Sequence, residues 1–324
     1  MIADASAPID PEVVAGMLAD GRFALGERGP EPTLDLLATM REMPPRVPYD
    51  PTPPPGVVRE ERLIPGPAGA PDVPVRIYRR AQRAAHDVPG LVWIHGGGYV
   101  LGSYDLDQPF LDALVATIGC VAVSVEYRLA PETPFPGPFD DCFAALAFLR
   151  DAASELGVDA ARLAVGGASA GAGLAAACAL RARDEGLALV HQHLLYPMLD
   201  DRQATPSSRW DLLAIWSREM NAFAWQCYLG DLYGTDDVPA YAAPARAIDL
   251  AGLAPAYVHV GGLDGFLHED IDYAARLLAA GVSAELHLLP LVPHGFDQVA
   301  PDAAVTATAN ALSHAALARV LSSR

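Results

Sequence analysis

From about Arg59 onward, short β-like runs alternate with longer helical ones, a pattern that restricts the chain to folds in which parallel strands are joined by crossover helices. The runs at 73–78, 91–94, 121–125, 163–166, 193–196, 256–260 and 284–289 predict strands. Helices are expected between them, among them 140–156, with Cys142, Leu146 and Leu149 on one face, and 270–280, closed by Gly281. The expected architecture is an α/β fold, its mostly parallel central sheet flanked by helices on both sides. Its 324 residues suffice for one large α/β domain with a lid, or for two modest domains. Residues 1–55 read as N-terminal cap helices, near 11–23 and 32–40, followed by a Pro-rich linker over 44–56 that supports neither helix nor central strand. Residues 56–324 read as the main α/β domain. At about 200–255 the alternation breaks into an aromatic-rich stretch (Trp210, Trp216, Phe223, Trp225, Tyr228, Tyr233, Tyr241), which is expected to be a cap insertion.

Charge removes several functions. A formal net charge of −18 disfavours nucleic acid, whose binding depends on cationic side chains. Every basic residue is Arg, so P-loop lysines, Schiff-base lysines and Ser-Lys dyads are excluded. The first ten residues carry Asp4 and Asp10 and have neither a basic region nor an apolar run, so a cytoplasmic location is expected. The uncharged stretch 163–180 is rich in Gly and Ala and reads as a buried strand-turn-helix, so no membrane span is expected. Cys120, Cys142, Cys178 and Cys227 lack metal or redox spacing and read as free thiols.

Gly167-Ala168-Ser169-Ala170-Gly171 fits G-x-S-x-G between a strand and an Ala-rich helix running to about Arg183. This is the context of a nucleophile elbow, where small residues permit a sharp turn that exposes a serine hydroxyl at a helix N-terminus. His95-Gly96-Gly97-Gly98 follows another buried strand, and successive glycines let backbone N–H groups converge on one point. Gly97, Gly98 and Ala170 are therefore the expected oxyanion donors. His294 lies just past the last predicted strand and Asp264 just past the one before it. Both then face the sheet edge that carries Ser169, in the chain order Ser, Asp, His. Glu269, Asp270 and Asp297 are rival acids, expected as helix-start or surface carboxylates. His191, His193, His259 and His287 fall on predicted strands without acidic or Cys ligands at metal spacing, and read as satisfied or surface histidines; neither metal nor cofactor is expected. Trp210, Trp216, Phe223 and Phe23 are candidates to line a substrate pocket, with packing against the core as the plainer alternative.

These motifs, with Tyr127-Arg128-Leu129-Ala130-Pro131-Glu132 and Leu194-Leu195-Tyr196-Pro197, resemble the hormone-sensitive-lipase-like branch of the α/β-hydrolases, the bacterial family IV esterases. The resemblance runs from about Arg59 to the C-terminus, more loosely in the N-terminal segment. It implies an α/β-hydrolase fold with a helical cap and cofactor-independent hydrolysis of short- to medium-chain acyl esters through an acyl-enzyme on Ser169. The partner implied is a small-molecule ester; a homo-oligomer is allowed but not required. The segment 127–132 is a family signature read as structural. Two positions depart from the family pattern: Ala168 stands where many members have Asp, and Gly265-Phe266 where many have Pro-Leu after the acid. Amide or arylacetamide hydrolysis is an alternative, as is a ligand receptor on the same scaffold, although receptors of that kind lose the histidine retained here as His294.

Overall fold

A computed structural model describes residues 9–22, 29–44, 48–82, 87–210 and 215–322. Among these residues the strands are β1 (Val57–Ile64), β2 (Val73–Arg80), β3 (Val88–Ile94), β4 (Val121–Val125), β5 (Val158–Ala168), β6 (His191–Leu195), β7 (Ala256–Gly261) and β8 (Ala284–Leu289). They form one sheet in the order β1-β2-β4-β3-β5-β6-β7-β8. β1 and β2 pair antiparallel, as do β2 and β4; every pairing from β4 through β3 to β8 is parallel. The mostly parallel sheet is thus observed, with one strand beyond the expected set. β1 was not anticipated because its sequence, VVREERLI, places four charges in eight residues; only Val57 and Ile64 are buried, as suits an edge strand.

The helices are α1 (Pro11–Asp20), α2 (Leu34–Glu42), α3 (Gln108–Ile118), α4 (Gly137–Asp151), α5 (Ala153–Leu156), α6 (Ala170–Glu185), α7 (Arg218–Leu229), α8 (Leu267–Ala279), α9 (Phe296–Val299) and α10 (Ala304–Ser322). The expected single helix at 140–156 is two, broken at Ala152. Cys142, Leu146 and Leu149 are all fully buried on α4. α8 starts three residues earlier than expected, and past Gly281, at φ +78°, Val282 N–H donates to Leu277 O at 2.9 Å, closing the helix as expected. Phe23, assigned to the first helix and to the pocket, lies outside the described residues; α1 ends at Asp20 with Gly21 left-handed.

The core has two parts. The larger contains β3, β4, β5 and β6 side chains packed on α4 and α6, and it takes in Trp225 and Tyr228 from α7. The smaller joins Leu111, Leu114 and Val115 of α3 and Leu317 and Leu321 of α10 to the other sheet face. Val13 and Met17 of α1 and Leu37 of α2 are buried against these layers. Each N-terminal helix is capped by its own side chain, Asp10 Oδ1 accepting from Glu12 N–H at 2.9 Å and Thr33 Oγ1 from Leu36 N–H at 3.1 Å. Cys120, Cys142 and Cys178 are buried free thiols, and Cys227 is half-buried and free.

Candidate active site

β5 ends at Ala168 and α6 begins at Ala170, so Ser169 is the single residue turning strand into helix. Its backbone is strained, with φ +57° and ψ −122°. Strain of this kind persists only where surroundings over-determine it. Here Ser169 N–H donates to Leu195 O at 2.9 Å, and Ser169 O accepts from Gly173 N–H at 3.0 Å and Met198 N–H at 3.1 Å. The turn also needs close backbone approach: a Cβ on Gly171 would lie 2.1 Å from Ile94 O. The small residues of the motif let the first turn of α6 sit directly on the end of β3.

Asp264 and His294 arrive from neighbouring strand ends. Asp264 follows β7, and its loop is stitched to the one carrying His294: Gly262 N–H donates to Leu289 O at 2.7 Å and Leu263 N–H to Val292 O at 3.0 Å. The side chains then line up. Ser169 Oγ is 2.8 Å from His294 Nε2, and His294 Nδ1 is 2.8 Å from Asp264 Oδ2. Asp264 Oδ1 accepts from Phe266 N–H at 2.9 Å, which occupies the other carboxylate oxygen. All three side chains are buried, Asp264 to 1% exposure. Tyr196 and Phe266 pack edge-on to the His294 ring, at 4.9 and 4.8 Å between centroids. These rings limit how the imidazole can turn. Such a line joins a hydroxyl, an imidazole able to take its proton, and a carboxylate that fixes the tautomer.

Beside Ser169, the loop after β3 carries Gly97 at φ +118° and Gly98 at φ +61°. Among the described residues, the N–H groups of Gly97, Gly98 and Ala170 have no backbone acceptor. A side chain at Gly98 is excluded twice, by its φ and by Trp216, whose Cη2 lies 2.2 Å from where a Cβ would stand. His95, at the head of this loop, is no base. Burial pulls it down to about 4, and its Nδ1 faces Gly96 O at 2.7 Å, so the neutral ring donates there.

A shallow cleft, open to solvent, runs along the His294 side and is lined by Trp210, Trp216, Gln203, Asn221 and Phe266. Trp210 and Trp216 of the four pocket candidates are thus at the cleft; Phe223 instead packs half-buried against the larger core. Trp216 is held by its Nε1–H donating to Asn221 Oδ1 at 3.1 Å. Gly265, where the family pattern has Pro, has open space around it, and Ser207 Oγ–H donates to its carbonyl at 2.8 Å.

The rival acids start helices, the first of the two alternatives expected for them, and none of them lies on the surface. Glu269 is buried on α8, its Oε1 accepting from the N–H groups of Leu199 (2.8 Å) and Asp200 (3.2 Å). Burial raises the Glu269 and Asp270 pKa values well above the usual carboxylate range, which disfavours the anion that pairing with an imidazole needs. Asp297 is half-buried and takes the Tyr196 hydroxyl at 2.9 Å. The signal missed was tertiary: the first turn of α8 faces inward.

Of the strand histidines, His191, His193 and His259 are buried, and His287 is half-buried with its Nε2 2.8 Å from Glu285 Oε1. His191 Nε2 lies 3.2 Å from His193 Nδ1, and His193 Nε2 lies 2.8 Å from Ser313 Oγ. His259 Nε2 has no partner among the described residues, so that ring is not fully satisfied. Burial holds His191 at about 4 and His259 at about 3, neutral at pH 7. Among the described residues no three His, Cys, Asp or Glu side chains are grouped to hold a metal ion.

A hydroxyl, imidazole and carboxylate in line at the C-terminal edge of this sheet define a hydrolase of the α/β type. The chain belongs to the alpha/beta hydrolase fold family, whose sequence model matches residues 91–298. It is similar to the carboxylesterase NlhH of Mycobacterium tuberculosis (strain ATCC 25618 / H37Rv), 39% identical over 266 residues, covering 81% of this chain and 82% of that one. An arylesterase of Saccharolobus solfataricus is 34% identical over 224 residues, 65% of this chain and 68% of its own. Among solved structures, a bacterial heroin esterase superposes with a TM-score of 0.84 at 39% identity, covering 98% of this chain and 99% of that one.

Proposed function

We propose that this enzyme hydrolyses carboxylic esters of small molecules through an acyl-enzyme on Ser169. His294 Nε2 takes the Ser169 proton as Oγ attacks the ester carbonyl, and the carbonyl electrons move onto oxygen. Gly97, Gly98 and Ala170 N–H groups receive that oxyanion, while Asp264 holds the imidazole and stabilises its protonated form. His294 then passes the proton to the departing alcohol, and the same residues guide water through deacylation. The observation that carries this reading is the continuous line Ser169 Oγ–His294–Asp264, with 2.8 Å at both joints. The esterases among its relatives support the ester as substrate.

The same reading assigns α1, α2 and the segment around α7 to a cap over the site, supported by Trp216 standing over Gly98. A cytoplasmic location belongs to it as well, supported by four free thiols; no helix of the described residues is long and apolar enough to cross a membrane.

The test is a p-nitrophenyl ester series from acetate to laurate beside matched p-nitroanilides. The expected result is highest kcat/KM on short acyl chains and far slower anilide cleavage. Anilides cleaved as fast as esters would move the assignment to amides; a folded protein inert on every substrate would sink it.

A further inference from the structure

The oxyanion loop is held in an unfavourable shape. Gly97, Gly98 and Tyr99 are three consecutive residues at positive φ, +118°, +61° and +66°, and the last is a tyrosine. A run like this requires outside support. Part of that support comes from the signature segment 127–132. Tyr127 O–H donates to His95 O at 3.0 Å, its ring stacks on His95 at 4.2 Å, and Ala130 N–H donates to Tyr99 O at 2.9 Å. The segment grips the loop at its start and at its last left-handed residue.

The other part comes from the N-terminal helix α2. Arg41 Nε–H donates to Val100 O at 2.9 Å, and its Nη2–H donates to Ala130 O at 2.7 Å. One guanidinium therefore ties the residue after the left-handed run to the segment that grips it. Glu132 turns the same fork, with Nη1 to Oε1 at 2.7 Å, but its side chain is 64% exposed and the ion pair by itself contributes little. The two carbonyls, both half-sheltered, are the contacts that matter for the loop.

We propose that Arg41 is a positioning residue for the oxyanion loop, setting the aim of the Gly97 and Gly98 N–H groups through the carbonyls of Val100 and Ala130. The inference rests on the assignment of those N–H groups to the oxyanion. It gives α2, joined to the sheet through a proline-rich linker, a part in turnover as well as in covering the site. Arg41 touches no substrate. Its loss lets the loop relax, so the donors miss an oxygen that carries charge only in the transition state, and kcat falls while ground-state binding stays.

The experiment compares wild type, Arg41→Ala and Arg41→Lys. Lysine keeps a charge opposite Glu132 but has no planar fork to hold two carbonyls. Both variants are expected to lose about 10- to 100-fold in kcat on a p-nitrophenyl ester with KM changed less than about 2-fold. Inhibition by a trifluoromethyl ketone gives the readout that a merely structural residue would not move. Ser169 Oγ adds to its carbonyl carbon, the serine proton passes to His294, and the new oxyanion lies against the loop. Its Ki is expected to rise by the factor by which kcat/KM falls. Unchanged kcat and Ki in a folded variant overturn the inference, as does a fall in kcat/KM with Ki unmoved. A wild type that cleaves no ester overturns the esterase reading and this one with it; active wild type and equally active variants overturn this one alone.

Discussion

Ser169→Ala is expected to lower kcat on a short-chain p-nitrophenyl ester by about 10⁶-fold, the order of loss seen when a triad nucleophile is removed. The size follows from geometry. Ser169 Oγ is the atom within 2.8 Å of His294 Nε2, so its removal leaves the base with no nucleophile to activate and no acyl-enzyme to form. Rate above the water reaction then comes only from binding and from the donors of the Gly97–Gly98 loop. Ala is small enough for the strained turn, and the three backbone hydrogen bonds that hold the residue do not involve its side chain. The variant is therefore expected to fold, with an unfolding midpoint near that of the wild type. Single-turnover kinetics beside thermal unfolding check both halves. A variant retaining more than a hundredth of wild-type kcat would remove Ser169 from the chemistry.

Asp264→Asn is expected to cost about 10⁴-fold in kcat with little change in shape. Two donors point at this buried carboxylate, Phe266 N–H onto Oδ1 and His294 Nδ1–H onto Oδ2. An amide offers one acceptor oxygen for the two. If that oxygen stays with Phe266, the amide N–H₂ faces Nδ1, and the imidazole must put its proton on Nε2. Such a ring donates towards Ser169 instead of accepting from it, and general base catalysis stops. If the amide turns the other way, Phe266 N–H is left buried without its acceptor. Asp264→Ala is the harsher companion, leaving the ring both unoriented and over a void. Comparing kcat for the two variants with their unfolding midpoints separates tautomer from stability: Asp264→Asn should lose rate far out of proportion to stability. Rate loss that merely follows destabilisation would make Asp264 a packing residue.

The sequence made the site legible where chemistry and local geometry coincide. Gly167 to Gly171 announces its own turn, since only small residues allow α6 to meet Ile94 O so closely. Asp264 and His294 were readable because each follows a strand, and strand ends in a parallel sheet share an edge. The misreadings were tertiary. β1 carries charge on an edge where little is buried, so its residues do not mark it as a strand. Glu269 and Asp270 look like ordinary helix-start acids, and only the packing of α8 reveals that they face inward. The aromatic stretch at 200–255 could not be sorted by composition: Trp225 and Tyr228 enter the core around Tyr99, while Trp210 and Trp216 face the cleft. The contact of Arg41 with Val100 spans 59 residues, which no local pattern encodes.

The measurement that tests the central claim most directly is covalent labelling with diethyl p-nitrophenyl phosphate. A serine activated by His294 attacks phosphorus, p-nitrophenolate leaves, and the diethylphosphoryl group stays on Oγ. Mass spectrometry of the digested protein should place a single adduct on the peptide carrying Ser169, with esterase activity lost in step with labelling and no adduct on Ser169→Ala. An adduct on a different residue, or full activity after stoichiometric labelling of Ser169, would contradict the account.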